Sequence, residues 1–283
     1  INENSVFPIK KFSALAEYLL NNKIVKNFHI PKECSLETLS RSHSLEYINN
    51  IKNKTLDRKA QVRIGFPIND SVVKRSFLAT GGTVLASKLA LDFKLSCNTA
   101  GGSHHAGYDY GAGYCVFNDV AVAANYIKLK KNIKKILILD LDVHQGNGNS
   151  EIFKNDKDIF TFSMHCKSNF PAKKSKSDLD VELDDNLEDN IYHKILKENL
   201  IHLNKFNFDF VFYIAGVDVH YEDKLGKLKL TDEGIFKRDQ IVIENFFSKK
   251  TALCGVLGGG YNKDFNKLVE LHAMLHRNCK NLL

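Results

Sequence analysis

Four short apolar runs, each closed by a polar or glycine-rich turn, constrain the fold of this chain most: LSCNTAGGSHH (95–105), KKILILDLDVHQGNG (134–148), FDFVFYIAGVDVH (208–220) and TALCGVLGGGY (251–261). Near-continuous apolar runs of this length suit strands buried on both faces, which means a parallel sheet covered by helices. The intervening segments supply the helices: 118–130, 188–203, and 231–247 with Thr231 as N-cap and Gly234 one turn in. The N-terminal third reads as helical too. Phe12, Leu15, Ala16 and Leu19 recur at helical spacing, Ser35 with Glu37 and Thr38 starts a second helix, and 72–93 carries Val73, Phe77, Val84, Leu85 and Leu89. The expected fold class is α/β, a single-domain open parallel sheet flanked by helices. Ligands of such sheets bind beyond the carboxyl ends of the strands, and every candidate catalytic residue falls at such an end.

Composition limits the alternatives. With 43% hydrophobic and 26% charged residues the chain is an ordinary globular one, neither disordered, collagen-like nor coiled coil. No internal repeat is present and only four prolines occur, so no linker divides it and 1–283 reads as one catalytic domain. It opens on Ile1, so the extreme N-terminus of that domain is expected to be missing. No apolar run is long enough for a membrane span, and INENSVFPIKKF lacks an apolar signal core. A soluble, cytoplasmic protein is expected, or a nuclear one if the source is eukaryotic. The net charge of +7 is spread over short clusters such as Lys130, Lys131, Lys134 and Lys135, which argues against direct nucleic-acid binding. The six cysteines form no CxxC pair, so they read as reduced, mostly buried thiols with no zinc ribbon or dithiol motif.

The chemistry concentrates in a few residues. In Asp140-Leu141-Asp142-Val143-His144 alternate positions share a face, so two carboxylates and an imidazole are brought together. Turn formation alone would explain an aspartate after a strand, but two acids inside ILILDLDV are costly to bury without a counter-charge, and a metal provides one. Asp218, at the end of another buried run, completes with Asp142 and His144 a set of three ligands that leaves a position open for water. His104-His105 after Gly101-Gly102 offers imidazoles for general acid–base work, and Tyr261 after Gly258-Gly259-Gly260 offers a phenol as an oxyanion donor. His272 and His276 have the i, i+4 spacing of a helical metal pair, but HAMLH lacks the Glu of HExxH and reads as a satisfied pair on a helix surface. No GxGxxG, GxxxxGK[ST] or GxSxG motif occurs, so nucleotide binding and a serine nucleophile find no support.

GGSHHAG (101–107), GAGYCVFND (111–119), LDLDVHQGNG (139–148), AGVDVHYEDKLG (215–226) and LGGGY (257–261), in this order, resemble the zinc-dependent histone deacetylase family over roughly 6–275. HQGNG and GVDVHYEDKLGKLKLTDEGIFKRD look most like its class IV branch and related bacterial deacetylase-like proteins. The resemblance implies an arginase/deacetylase-like fold, with Asp142, His144 and Asp218 as metal ligands and Tyr261 as transition-state donor. It makes His105 the general base and acid, and His104 its electrostatic partner oriented by Asp140. Tyr114, beside Gly113, takes the position of an aromatic that walls the substrate channel, and Phe170 stands near the opposite wall. The metal is expected to be Zn2+, with Fe2+ as the alternative, and a structural K+ is implied near Asp140, Asp142, His144 and Ser163. Two departures stand out: Asn147 occupies a position where some branches place an acid behind the second histidine, and the family's first strand is absent before VFPIKKF.

The resulting expectation is metal-assisted hydrolysis of an acyl-lysine amide in a protein or peptide. Acylated polyamines are the alternative substrate class. A binuclear ureohydrolase would need an acid two residues beyond His144, where Gly146 stands, and an inactive acyl-lysine binding module would not need the full catalytic set. The class IV resemblance implies long-chain deacylation, and the small residues Gly101, Gly102, Ala106, Gly107 and Gly113 could leave apolar room for such a tail, so fatty acyl groups are expected to be removed better than acetyl.

Overall fold

The computed structural model describes residues 7–282; the stretch 1–6, part of the segment that lacks a signal core, lies outside them. Five helices come first: α1 (Lys11–Asn21), α2 (Leu36–Leu39), α3 (Leu45–Asn53), α4 (Arg58–Ile64) and the long α5 (Asp70–Phe93). Strands and helices then alternate as β1 (Leu95–Cys97), α6 (Asp119–Ile127), β2 (Ile136–Asp140), α7 (Asn147–Phe153), β3 (Ile159–Cys166), β4 (Leu179–Leu183), α8 (Asp189–Leu203), β5 (Phe210–Ile214), α9 (Asp232–Phe247), β6 (Ala252–Val256) and α10 (Phe265–Asn281). Side chains fix where helices begin. Asn69 accepts from the Val72 amide to open α5, Asn118 from Ala121 to open α6, and Thr231 from Gly234 to open α9. Among the described residues no helix is long and apolar enough to cross a membrane.

Among the described residues six strands form one open sheet in the order β1-β6-β5-β2-β3-β4, every pair parallel. Alternate side chains of each central strand serve two cores. Ile136, Ile138, Phe210, Phe212 and Ile214 pack with α5 and α6, whereas Leu137, Leu139, Val211 and Tyr213 pack with α8, α9 and α10. Each fully buried aliphatic or aromatic side chain contributes roughly 1.5–3 kcal/mol, so the middle of this sheet supplies a large share of the apolar burial. Two of the six strands escape the sequence reading. In β3, IFTFSMHC, the residues Thr161, Ser163 and His165 are polar yet buried, and the edge strand β4, LDVEL, stays half exposed, so neither reads as an apolar run.

Two further corrections concern side chains. His272 and His276 are not on a helix surface but are buried, because α10 is covered by α9 on one side and α1 on another. The cysteines are free and mostly buried, but Cys97 on β1 and Cys279 on α10 bring their sulfurs within 3.1 Å despite their separation in sequence.

Candidate active site

β2 ends at Asp140, and the chain beyond it folds back on its own carboxylates: the Asp142 amide donates to Asp140 Oδ1 at 3.1 Å and the His144 amide to Asp142 Oδ1 at 3.0 Å. These aspartates are therefore turn-formers and site residues at once. Asp218, just beyond β5, accepts from the Val143 amide at 3.0 Å, which ties the two strand ends together. His144 Nδ1 then lies 3.0 Å from Asp142 Oδ1 and 3.1 Å from Asp218 Oδ2. One nitrogen and two carboxylate oxygens, all within 4.8 Å of one another and buried, make a donor set that fits a single divalent ion with coordination positions to spare. Burial pushes Asp218 up to about 7, helped by the charge of Asp142. For Asp142 burial works the same way, but His104 and His144 overcome it and hold the carboxyl well below its usual range. Burial would lower His144, yet its bonds to Asp142 and Asp218 raise it to about 10. Two buried carboxylates around one imidazole could share a bound cation.

The loop after β1 carries the histidines. Asp119, at the start of α6, accepts from the Gly102 amide at 3.1 Å and the Ser103 amide at 2.7 Å, so a buried carboxylate holds the loop in place. His104 Nδ1 donates to Asp140 Oδ2 at 2.7 Å, and His105 Nδ1 donates to Asn147 Oδ1 at 2.7 Å. The rings stand 4.1 Å apart by centroid. Burial works against a charge on either ring. Asp140 and Asp142 reverse this for His104, raising it to about 9, while burial and the charges of His104 and His144 drive His105 well below 6.5. Asn147 therefore fixes the tautomer of a neutral His105 and leaves its Nε2 lone pair available.

Tyr261 ends a strap of three glycines. The Gly259 amide donates to Asp142 Oδ2 at 2.6 Å and the Tyr261 amide to Asp223 Oδ2 at 2.6 Å. A Cβ on Gly259 would lie 2.0 Å from Asp218 Oδ2, so the backbone passes between the two aspartates only as glycine. Burial, reinforced by Asp218 and Asp142, keeps the phenol protonated as a donor. Tyr114, at φ +67°, brings its ring centroid 5.9 Å from that of Tyr261. With Gly113 it lines a cavity of about 50 Å³ that also touches His104, His105, Asp142 and His144. Phe170, nearly half exposed, meets His105 edge-on at 4.9 Å.

The glycines do not leave the apolar room the sequence suggests. An added Cβ would meet Asp119 and Thr83 at Gly101, the Gly258 backbone at Gly102, Tyr110 at Gly107 and His105 at Gly113, all within 3.0 Å. They are small because their surroundings are already filled. A larger apolar space lies beside the site: a second cavity of about 760 Å³, bordered by Ile24, Phe28, Leu85 and Leu89, shares Phe12, Arg75 and Ala79 with the first.

Several residues at the site gave no separate sequence signal. Asp119 and Asp223 stand inside the quoted motifs but their roles as loop anchors emerge only from the contacts. Arg238, fully buried on α9, pairs with Asp239 at 2.8 Å and donates Nη1 to the carbonyl of Gly216 at 2.5 Å and of Leu141 at 3.4 Å, beneath both ligand-bearing turns.

Residues 5–275 match the model of the histone deacetylase domain. An uncharacterized protein of Picosynechococcus sp. (strain PCC 7002) is 42% identical, the alignment covering 100% of this chain and 95% of that protein. Histone deacetylase 2 of Arabidopsis thaliana is 29% identical over 93% of this chain and 71% of its own. The crystal structure of an HDAC homolog complexed with SAHA superposes with a TM-score of 0.82 at 26% identity, covering 97% of this chain and 80% of that one.

Proposed function

The chain belongs to the histone deacetylase family, and from that premise we propose that it is a zinc-dependent amidohydrolase that removes acyl groups from lysine side chains. The observation that carries this reading is the convergence of His144 Nδ1, Asp142 Oδ1 and Asp218 Oδ2 beside His104 bonded to Asp140 and His105 bonded to Asn147. A divalent metal held by these three would supply Lewis acidity to the acyl carbonyl and to the attacking water. His105, neutral and oriented by Asn147, takes the water proton and then delivers it to the departing lysine amine. His104, paired with Asp140, stays protonated and keeps its neighbour neutral in the resting state. Tyr261 donates its phenolic hydrogen to the oxyanion as charge develops there. Tyr114, Gly113 and Phe170 flank the acyl-lysine chain. Zn2+ suits the mixed nitrogen–oxygen set, Fe2+ is the alternative, and the family resemblance implies a structural K+ near Asp140, Asp142, His144 and Ser163.

A cavity of about 50 Å³ supports a short acyl group such as acetyl. The second reading, a fatty acyl preference in keeping with the class IV likeness, draws on the adjoining space of about 760 Å³ behind Phe12, Arg75 and Ala79. Zinc-loaded protein assayed on one peptide carrying acetyl-, octanoyl- or myristoyl-lysine, with an acylpolyamine in parallel, tests both. Acetyl-lysine hydrolysis is expected. A tenfold acetyl preference in kcat/KM, about 1.4 kcal/mol, excludes the fatty acyl reading. Hydrolysis of the polyamine alone would overturn the lysine assignment, and no hydrolysis of any amide would leave a binding module.

A further inference from the structure

Lys11 is out of place by every local rule. It opens α1, where a cation opposes the helix dipole, and it occupies the stripe 11, 15, 19 whose other members, Leu15 and Leu19, are fully buried. Its side chain is buried as well, at 1% exposure, and among the described residues no carboxylate pairs with it. Burial lowers the ammonium to about 8 against the opposing pull of Asp218 and Asp142. An unpaired buried cation is destabilising, and an apolar side chain of the same length would fill the stripe at less cost.

What Lys11 does instead is reach the glycine strap. Its Nζ donates to the Gly258 carbonyl at 3.3 Å and stands 5.8 Å from the centroid of the Tyr261 ring. The strap needs such a hold. Gly258 and Gly260 take φ of +72° and +156°, and a run of three glycines has more backbone freedom than any other sequence. Its other anchors are Gly258 N to the Gly101 carbonyl, Gly259 N to Asp142, Tyr261 N to Asp223, and the Val217 and Lys224 amides to the carbonyls of Gly259 and Tyr261; among the described residues none of these holds the Gly258 carbonyl. Among the described residues, Lys11 is the one side chain that donates to the strap.

We propose that Lys11 is a positioning residue, whose ammonium fixes the Gly258 carbonyl and so holds the strap in the register that aims the Tyr261 phenol at the reacting carbonyl. The cation beside the ring also offsets the negative field of the two aspartates, which favours hydrogen donation by the phenol. The inference rests on the assignment of Tyr261 as the oxyanion donor.

Kinetics and metal content of Lys11→Met, Tyr261→Phe and the double variant test it. Lys11→Met should fold, retain one metal ion per chain by elemental analysis, and lose kcat by about tenfold or more with KM changed less than about twofold. Tyr261→Phe should lose about 10²-fold or more, and the double variant should be no slower than Tyr261→Phe alone, because Lys11 acts through the phenol. A smaller loss in Lys11→Met, losses that multiply in the double variant, a loss of metal, or a Lys11→Met chain that does not fold would each overturn the proposal. If Tyr261→Phe itself keeps its kcat, the assignment of Tyr261 fails; if only Lys11→Met keeps it, the positioning role fails alone.

Discussion

His104 and His105 in the loop after β1, and His272 and His276 on α10, are hidden from solvent to the same degree, none more than 6% exposed. Their bonding separates them. The first two donate to Asp140 and Asn147, whereas among the described residues both ring nitrogens of His272 and Nε2 of His276 have no partner. Burial alone drives His276 down to about 4, and burial reinforced by neighbouring positive charges drives His272 and His105 well below 6.5. Only His104, with carboxylates at hand, goes the other way. Adjacent titratable groups pushed in opposite directions mark acid–base chemistry; burial by itself marks a core.

The widest gap between the pairs should appear on mutation. His105→Ala is predicted to lose about 10²–10⁴-fold in kcat/KM, while His276→Leu at pH 7 changes it by less than about twofold. Steady-state assays on an acyl-lysine peptide check both, and a greater loss in His104→Ala than in His105→Ala would exchange the two roles.

The pH profile sharpens the contrast. Because His105 must be neutral to accept a proton and its burial depresses it, the acidic limb of kcat/KM should lie below 6.5, with the plateau already reached at that pH. A limb near 6.5, the value an unperturbed imidazole gives, would mean that the ring is more solvated than the geometry shows.

The smallest effect is one of stability. His276 sits at about 4 in the folded chain and about 6.5 when unfolded, so the unfolded chain takes up its proton first as pH falls. Its contribution is complete above 6.5 and is lost between 6.5 and 4, by about 2 kcal/mol at pH 5. Urea unfolding of wild type and His276→Leu at pH 7 and 5 should show that the variant loses less; equal losses would place the proton elsewhere.

These contrasts explain what the sequence discloses. The ligand set is legible because aspartates inside ILILDLDV, and Asp218 at the end of a buried run, violate the apolar pattern that surrounds them. Lys11 violates its helical stripe in the same way, but a lysine near an N-terminus reads as surface until α10 and the strap are seen to enclose it. His272 and His276 mislead for the converse reason: an i, i+4 pair on a helix gives no sign that both sides of the helix are covered. β3 goes unrecognised because its polar residues are buried, with Ser163 bonded to His165 Nδ1 and Thr161 to Asp178. Contacts such as Arg238 to Gly216 and Leu141 join segments whose spacing carries no periodicity at all.

The central claim is that Asp142, His144 and Asp218 hold the one metal ion on which hydrolysis depends. Elemental analysis of wild type and Asp218→Ala, each stripped with chelator, reloaded with zinc, dialysed and checked for folding by circular dichroism, tests it most directly. The account predicts one zinc ion per wild-type chain with activity restored on loading, and a folded Asp218→Ala chain with neither zinc nor turnover. Full zinc occupancy in folded Asp218→Ala, or undiminished hydrolysis by the stripped wild type, would contradict it.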